Sequence, residues 1–249
     1  MTTAGDRPTP TGPEVQLRTP LAFTLAKYLL AWPIFHLLFR IEVHGRENLP
    51  PRGAGIIASN HISAIDSVFI PLLVPRHVTF LAKAQFFAGR GFGAWVRRTF
   101  MKAMGQLAID RGGGAASSAS LDNGVRVLRA GRLMGIYPEG TRSRDGLLHR
   151  GRTGIARVVL AAGATAPVIP VGIRGSDRIL PIGKGFPKLG TRVVVTYGEP
   201  LDFSRYAGML DDRFVLRSIT DEVMAAIKDL SGQEYVDSYS SSRRGRPDD

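Results

Sequence analysis

The chain has 249 residues, a formal net charge of +12, 44% apolar residues and no cysteine. That length holds one sizeable α/β domain and not two large ones, and the apolar share excludes general disorder. The missing cysteines exclude disulfides, thiolate metal sites and a cysteine nucleophile, and they point to a reducing compartment.

The charge is unevenly placed. Residues 76–192 carry 20 basic and 5 acidic side chains, residues 1–75 carry 6 and 5, and residues 193–249 carry 7 and 11. A basic middle between near-neutral and acidic ends marks a surface for a polyanion. Nucleic acid, anionic lipid headgroups and a phosphate-rich substrate such as coenzyme A all fit that description.

In chain order, residues 1–20 are rich in Thr, Pro and Gly and read as a disordered arm. The apolar stretch 21–39 is just long enough to reach across ~30 Å of hydrocarbon. Lys27, Pro33 and His36 interrupt it, and Tyr28 and Trp32 favour the interface, so the expectation is a kinked or re-entrant helix lying in one leaflet. No A-x-A-like cleavage site follows it.

From Arg40 the pattern alternates. Strands are expected at 41–44, 55–59, 78–82, 106–109, 133–137, 166–173 and 192–196, and helices at 65–73, 92–104, 118–129 and 154–162. A long closing helix is expected at 211–230, with Asp211 and Asp212 suited to its N-terminal end. This alternation predicts an α/β fold, a mostly parallel sheet flanked by helices, with an N-terminal membrane-associated helical segment. The folded unit spans 40–230, and 231–249 is expected to be a disordered tail. In the helix at 92–104, Phe92, Trp95, Val96, Phe100, Ala103 and Met104 recur at helical spacing beside Arg97, Arg98 and Lys102. A Trp/Phe stripe flanked by cations suits a membrane surface, and it equally suits a core-facing helix with a solvated basic side.

Four short elements carry the chemistry. In Asn60-His61, followed by Asp66, a strand runs into a histidine, and a carboxylate in the first helical turn is placed to accept the Nδ1 proton. Asp110-Arg111 and Tyr137-Pro138-Glu139-Gly140-Thr141-Arg142 each stand at a strand end, where ligands collect in open α/β sheets. Arg111 and Arg142 there make a fork-shaped phosphate clamp, with the Gly140 backbone in close approach. The fourth element, Val168-Ile169-Pro170-Val171-Gly172, is apolar and reads as a buried strand.

In this order and spacing, the four elements resemble the glycerophosphate acyltransferase family, over roughly residues 43–200. The resemblance implies an O-acyltransferase of phospholipid biosynthesis, with 40–230 as the acyltransferase domain and 21–39 as its membrane-associating segment. His61 is then the general base and Asp66 its orienter. Lys83, Arg111, Glu139, Gly140, Thr141 and Arg142 hold the phosphate-bearing acceptor, and Val168, Ile169, Pro170, Val171 and Gly172 line an acyl or donor pocket. No bound cofactor or metal is implied. The acyl donor is acyl-CoA or acyl carrier protein, the acceptor lysophosphatidic acid or glycerol 3-phosphate, or another lysophospholipid or glycolipid. The protein is expected on anionic membrane lipid, at the cytoplasmic face of the cell membrane, with no nucleic-acid partner. Two departures from the family pattern are Ala108, where a bulky aromatic is frequent, and Arg150 or Arg152, where a lysine is common. With no cysteine, direct transfer is the simpler route, and Ser59 and Ser63 leave an acyl-serine open. A Ser-His-Asp hydrolase lacks its Gly-x-Ser-x-Gly elbow here.

Overall fold

A computed structural model of the chain describes residues 24–25, 27–83, 88–103, 106–109, 115–179 and 187–240. Nine strands and seven α-helices are named among them. The strands are β1 (Arg40–His44), β2 (Gly55–Ser59), β3 (Val78–Lys83), β4 (Gln106–Ile109), β5 (Leu133–Ile136), β6 (Leu148–His149), β7 (Val168–Arg174), β8 (Arg192–Tyr197) and β9 (Tyr235–Val236). The helices are α1 (Trp32–Leu38), α2 (Asp66–Leu73), α3 (Phe92–Ala103), α4 (Ala115–Arg129), α5 (Gly154–Ala161), α6 (Ser176–Ile179) and α7 (Arg213–Ser231).

Seven strands form one sheet in the order β1-β8-β7-β2-β5-β3-β4. Every pairing in it is parallel except β7 with β8. The expected mostly parallel sheet is therefore present. β2, the central strand, is buried along its whole length, as a strand covered on both faces must be. Its side chains alternate between two cores. Ile56 and Ala58 join Met134, Val158, Ile219 and Val223 on the face covered by α4, α5 and α7. Ile57 joins Phe69, Leu73, Leu133, Ile169 and Val195 on the other, beneath α2.

The caps follow the sequence signals. Asp212 accepts hydrogen bonds from the backbone N–H groups of Phe214 and Val215 at the start of α7, and Gly232 closes the helix in the left-handed conformation at φ 65°. Residues 231–240 depart from the expected disordered tail, and residues 241–249 lie outside the described residues. Ser231 ends α7, and β9 pairs with β6, Leu148 opposite Tyr235 and His149 opposite Val236. Two residue pairs suffice because Tyr239 also receives the Arg150 and Arg152 guanidinium groups, at 5.6 and 5.2 Å from its ring centre.

The apolar N-terminal stretch forms a π-helical turn, Lys27–Ala31, that runs into α1, with Pro33 in its first turn where no N–H is needed. Phe35 and Phe39 pack on Phe69 of α2 at 5.2 and 5.8 Å between ring centres. Lys27 is buried, and its Nζ donates to the carbonyls of Pro71 and Val74 at 2.7 and 2.5 Å, satisfying the C-terminal end of α2. Leu29, Leu30, Ile34 and Leu37 face outward, Leu37 at 86% exposure. No helix among the described residues is long and apolar enough to cross a membrane.

Candidate active site

β2 and β5 lie side by side in parallel, Ala58 opposite Ile136, so the segments that follow them emerge together at one end of the sheet. His61 leaves β2 there, and Tyr137 leaves β5. The loop between β2 and α2 turns back on itself because the Asp66 N–H donates to the Ser63 carbonyl. This brings the Asp66 carboxylate beneath the histidine: His61 Nδ1 lies 3.0 Å from Asp66 Oδ2. The same oxygen accepts the backbone N–H groups of Ile62 and Ser63 at 2.9 and 2.8 Å. Asp66 is fully buried and His61 keeps 13% of its side chain exposed. A carboxylate held by two backbone donors cannot swing away, so it fixes Nδ1 as the protonated nitrogen and leaves Nε2 as the free base.

Tyr137 lies against the histidine ring, and its own far face meets Phe80 at 5.2 Å. Its hydroxyl is 3.3 Å from Ser67 Oγ. Burial first, then the Asp66 charge, push the Tyr137 hydroxyl well above its ordinary value, so it stays neutral. From the other side, the Ser143 N–H donates to the His61 carbonyl at 2.7 Å. The third sequence element thus braces the first through both ring and backbone.

The remaining predicted residues divide. Gly140 closes a turn, its N–H bonded to the Tyr137 carbonyl at 2.9 Å, and holds φ 75°, a conformation that a side chain resists. Thr141 and Arg142 follow, partly exposed, on the same loop as the dyad's brace. Glu139 has a structural role that the sequence did not show. It is 1% exposed, and its carboxylate accepts the His149 N–H at 3.0 Å, so it ties the loop to β6 from inside. Burial raises its pKa to about 7, against the opposing pull of the His149 and His61 N–H groups. Val168, Ile169, Pro170, Val171 and Gly172 are buried, as the apolar pattern predicts. They form the buried interior of β7 between β2 and β8, and Gly172 abuts the Leu230 backbone of α7. They build the core under the site. Lys83 ends β3 at the same edge of the sheet, and its side chain lies outside the described residues. Arg111 also lies outside them, one residue beyond Asp110, which follows β4.

Three positioning features escaped the sequence reading. Asn60, adjacent to the histidine, is buried and bonds Ile173 with both ends of its amide. Asp145 organises the loop before β6, accepting from Ser143 Oγ, the Leu147 N–H and His149 Nε2 at 3.0, 3.1 and 3.1 Å. Partial burial raises the Asp145 pKa, but these donors outweigh it and hold the carboxyl below its ordinary value. The third is Gln233, which reaches the site from the segment after α7. Only Asn60 left a signal, as half of an Asn-His pair.

The fold is an open α/β sheet, and its Asp-His pair stands at the carboxyl end of the central strand, where ligands collect in such folds. A sequence model of the acyltransferase family matches residues 40–174, and the chain belongs to that family. It is 28% identical over 195 residues to a 1-acyl-sn-glycerol-3-phosphate acyltransferase of Bacillus subtilis, covering 78% of this chain and 89% of that protein. It is 29% identical over 146 residues to the chloroplastic enzyme of that name from Arabidopsis thaliana, covering 58% of this chain and 39% of that one. The crystal structure of the 1-acyl-sn-glycerophosphate acyltransferase of Thermotoga maritima superposes with a TM-score of 0.61 at 22% identity, over 85% of this chain and 80% of that one. That likeness bears on the fold.

Proposed function

We infer that the protein transfers a fatty acyl group from a thioester donor, acyl-CoA or acyl carrier protein, to a free hydroxyl of lysophosphatidic acid or a similar glycerophosphate. The observation that carries this reading is the 3.0 Å contact between His61 Nδ1 and the fully buried Asp66 carboxylate. In the first half of the reaction the acceptor hydroxyl gives its proton to His61 Nε2 as its oxygen bonds to the thioester carbon. In the second half the carbon–sulfur bond breaks, and the thiolate leaves with the proton returned by His61. Asp66 stabilises the intervening imidazolium without itself taking the proton. The step needs no metal, because the thioester is already activated.

For the acceptor phosphate we assign Arg142, with Arg111 and Lys83 from neighbouring strand ends, since guanidinium groups pair with a phosphate monoester in two contacts at once. The donor enters over the same end of the sheet. The outward leucines of the N-terminal segment, with Phe92 and Trp95 on α3 stacked at 5.9 Å, supply an apolar surface that seats the enzyme on lipid. The relatives from Bacillus subtilis and Arabidopsis thaliana are named 1-acyl-sn-glycerol-3-phosphate acyltransferases, which supports the same acceptor.

The test is purified full-length protein on liposomes, offered acyl-CoA or acyl carrier protein with lysophosphatidic acid, glycerol 3-phosphate, neutral lysolipids or water alone. Phosphatidic acid as the main product supports the reading. Free fatty acid as the main product, or no preference for a phosphorylated acceptor, overturns it.

A further inference from the structure

Gln233 lies beyond the family-matched residues 40–174, yet it completes a ring of contacts around the catalytic histidine. Asn60 fixes the chemistry of that ring. Its Oδ1 accepts the Ile173 N–H at 2.8 Å and its Nδ2 donates to the Ile173 carbonyl at 2.9 Å, so the backbone of β7 settles which end of the amide is which. The second hydrogen on Nδ2 goes to Gln233 Oε1 at 2.7 Å. That leaves Gln233 Nε2 as a donor, and it reaches the Gly146 carbonyl at 2.8 Å. Gly146 belongs to the loop whose Ser143 N–H holds the His61 carbonyl at 2.7 Å.

Both flanks of His61 are therefore tied to the 143–146 loop, one through the histidine's own carbonyl and the other through Asn60 and Gln233. Gln233 is itself held in place. It follows the left-handed Gly232 that ends α7, and the next residue, Glu234, accepts the Leu148 N–H through its carbonyl at 2.8 Å as the chain enters β9. The side chain touches no reacting atom.

We propose that Gln233 is a positioning residue for the acyl transfer read above, closing the hydrogen-bonded ring that holds His61 in register with the loop bearing Arg142. The proposal rests on that reading of the reaction, but its structural half is independent. Losing the link leaves Asn60 on Ile173 but unties that side of His61 from the 143–146 loop, so the loss falls on turnover more than on substrate affinity.

The test compares full-length wild type with Gln233→Ala, Gln233→Glu and Glu234→Gln. Gln233→Glu keeps an acceptor for Asn60 but has no donor for Gly146, so it breaks the ring without emptying the site. In both Gln233 variants kcat should fall about 10- to 100-fold while KM for either substrate stays within about threefold. Their His61 ring nitrogens, read by ¹⁵N NMR, should shift from the Nδ1–H pattern toward a tautomer mixture. Glu234→Gln changes an exposed neighbour and should leave both readouts as in wild type. Wild-type kcat in both Gln233 variants, or a loss of kcat with unmoved ring nitrogens, overturns the proposal. If the wild type transfers no acyl group to any acceptor, the functional reading fails, and the ring-nitrogen shifts alone decide the role of Gln233.

Discussion

Tyr137 lies flat on His61, with ring centres 3.9 Å apart and planes 11° from parallel. The histidine is thus held edge-on by Asp66 and face-on by an aromatic ring, which leaves Nε2 one direction in which to work. Tyr137→Phe keeps the stacked face and loses only the contact with Ser67, so its kcat/KM should stay within about threefold of wild type. Tyr137→Leu removes the face and should cost about tenfold or more. Steady-state rates for the two variants check this, and equal rates for Phe and Leu would count against it.

If His61 is the base proposed above, replacing it should be far more severe. His61→Ala and Asp66→Asn should lower kcat by about 10²–10⁴-fold, with an unchanged fold by circular dichroism for the histidine variant. Asn at 66 presents an amide to Nδ1 and to the two loop N–H groups, so the dyad and its turn weaken together.

Glu139 predicts a pH dependence of stability. Its pKa is raised by burial to about 7, so the native state holds a proton that the unfolded chain has already lost between its ordinary value, near 4.5, and about 7. The native state binds more protons in that window, so stability falls as pH rises through it. Glu139→Gln keeps an acceptor for the His149 N–H and removes the buried charge. Its melting temperature should match wild type near pH 5 and exceed it by several degrees at pH 8, a gap on the order of 2–4 kcal/mol. Thermal scans across pH 5–8 test the sign, and a constant difference across that range would rule the explanation out.

Gly172 tests how tightly the fourth sequence element is packed. A Cβ at this position meets Leu230 backbone carbon at 2.5 Å, and backbone cannot rotate aside. Gly172→Ala should therefore destabilise by about 1–3 kcal/mol through overpacking of β7 against α7. Chemical denaturation measures it; a variant of wild-type stability with altered acyl-chain preference would put this segment at an acyl pocket instead.

For the membrane surface, the exposed residues to change are Leu29, Leu30 and Leu37. Asn at all three should weaken liposome partitioning on the order of 100-fold, by removing apolar area from the lipid contact. Cosedimentation with anionic vesicles reads this directly, and equal binding by mutant and wild type would remove the N-terminal segment from the lipid contact.

Most of the sheet was readable in advance, because strands buried on both faces print as short apolar runs. The runs at 55–59 and 106–109 match β2 and β4. Strand order was not readable, since nothing local says that β8 lies between β1 and β7. The His61–Asp66 pair was legible because a strand-to-helix turn is a local event. The burial of Glu139 was not readable, because a carboxylate in a short turn between a strand and a basic segment looks exposed. Gln233 left no trace, since its partners Asn60 and Gly146 stand far away in sequence and the polar segment around it resembles any solvated tail.

The placement of β1 has a consequence for how the chain is made. Among the described residues, 40–44 pair with 192–196, and Glu42 and Arg192, which join in two contacts of 2.6 Å, are separated by 150 residues. At ~5–20 residues per second, the ribosome delivers the partner strand about 8–30 s after the first strand emerges. Throughout that interval β1 has no partner strand, and the apolar segment before it has only α2 to pack on. That segment is the part of the nascent protein free to meet lipid or a chaperone first, before the enzyme behind it exists.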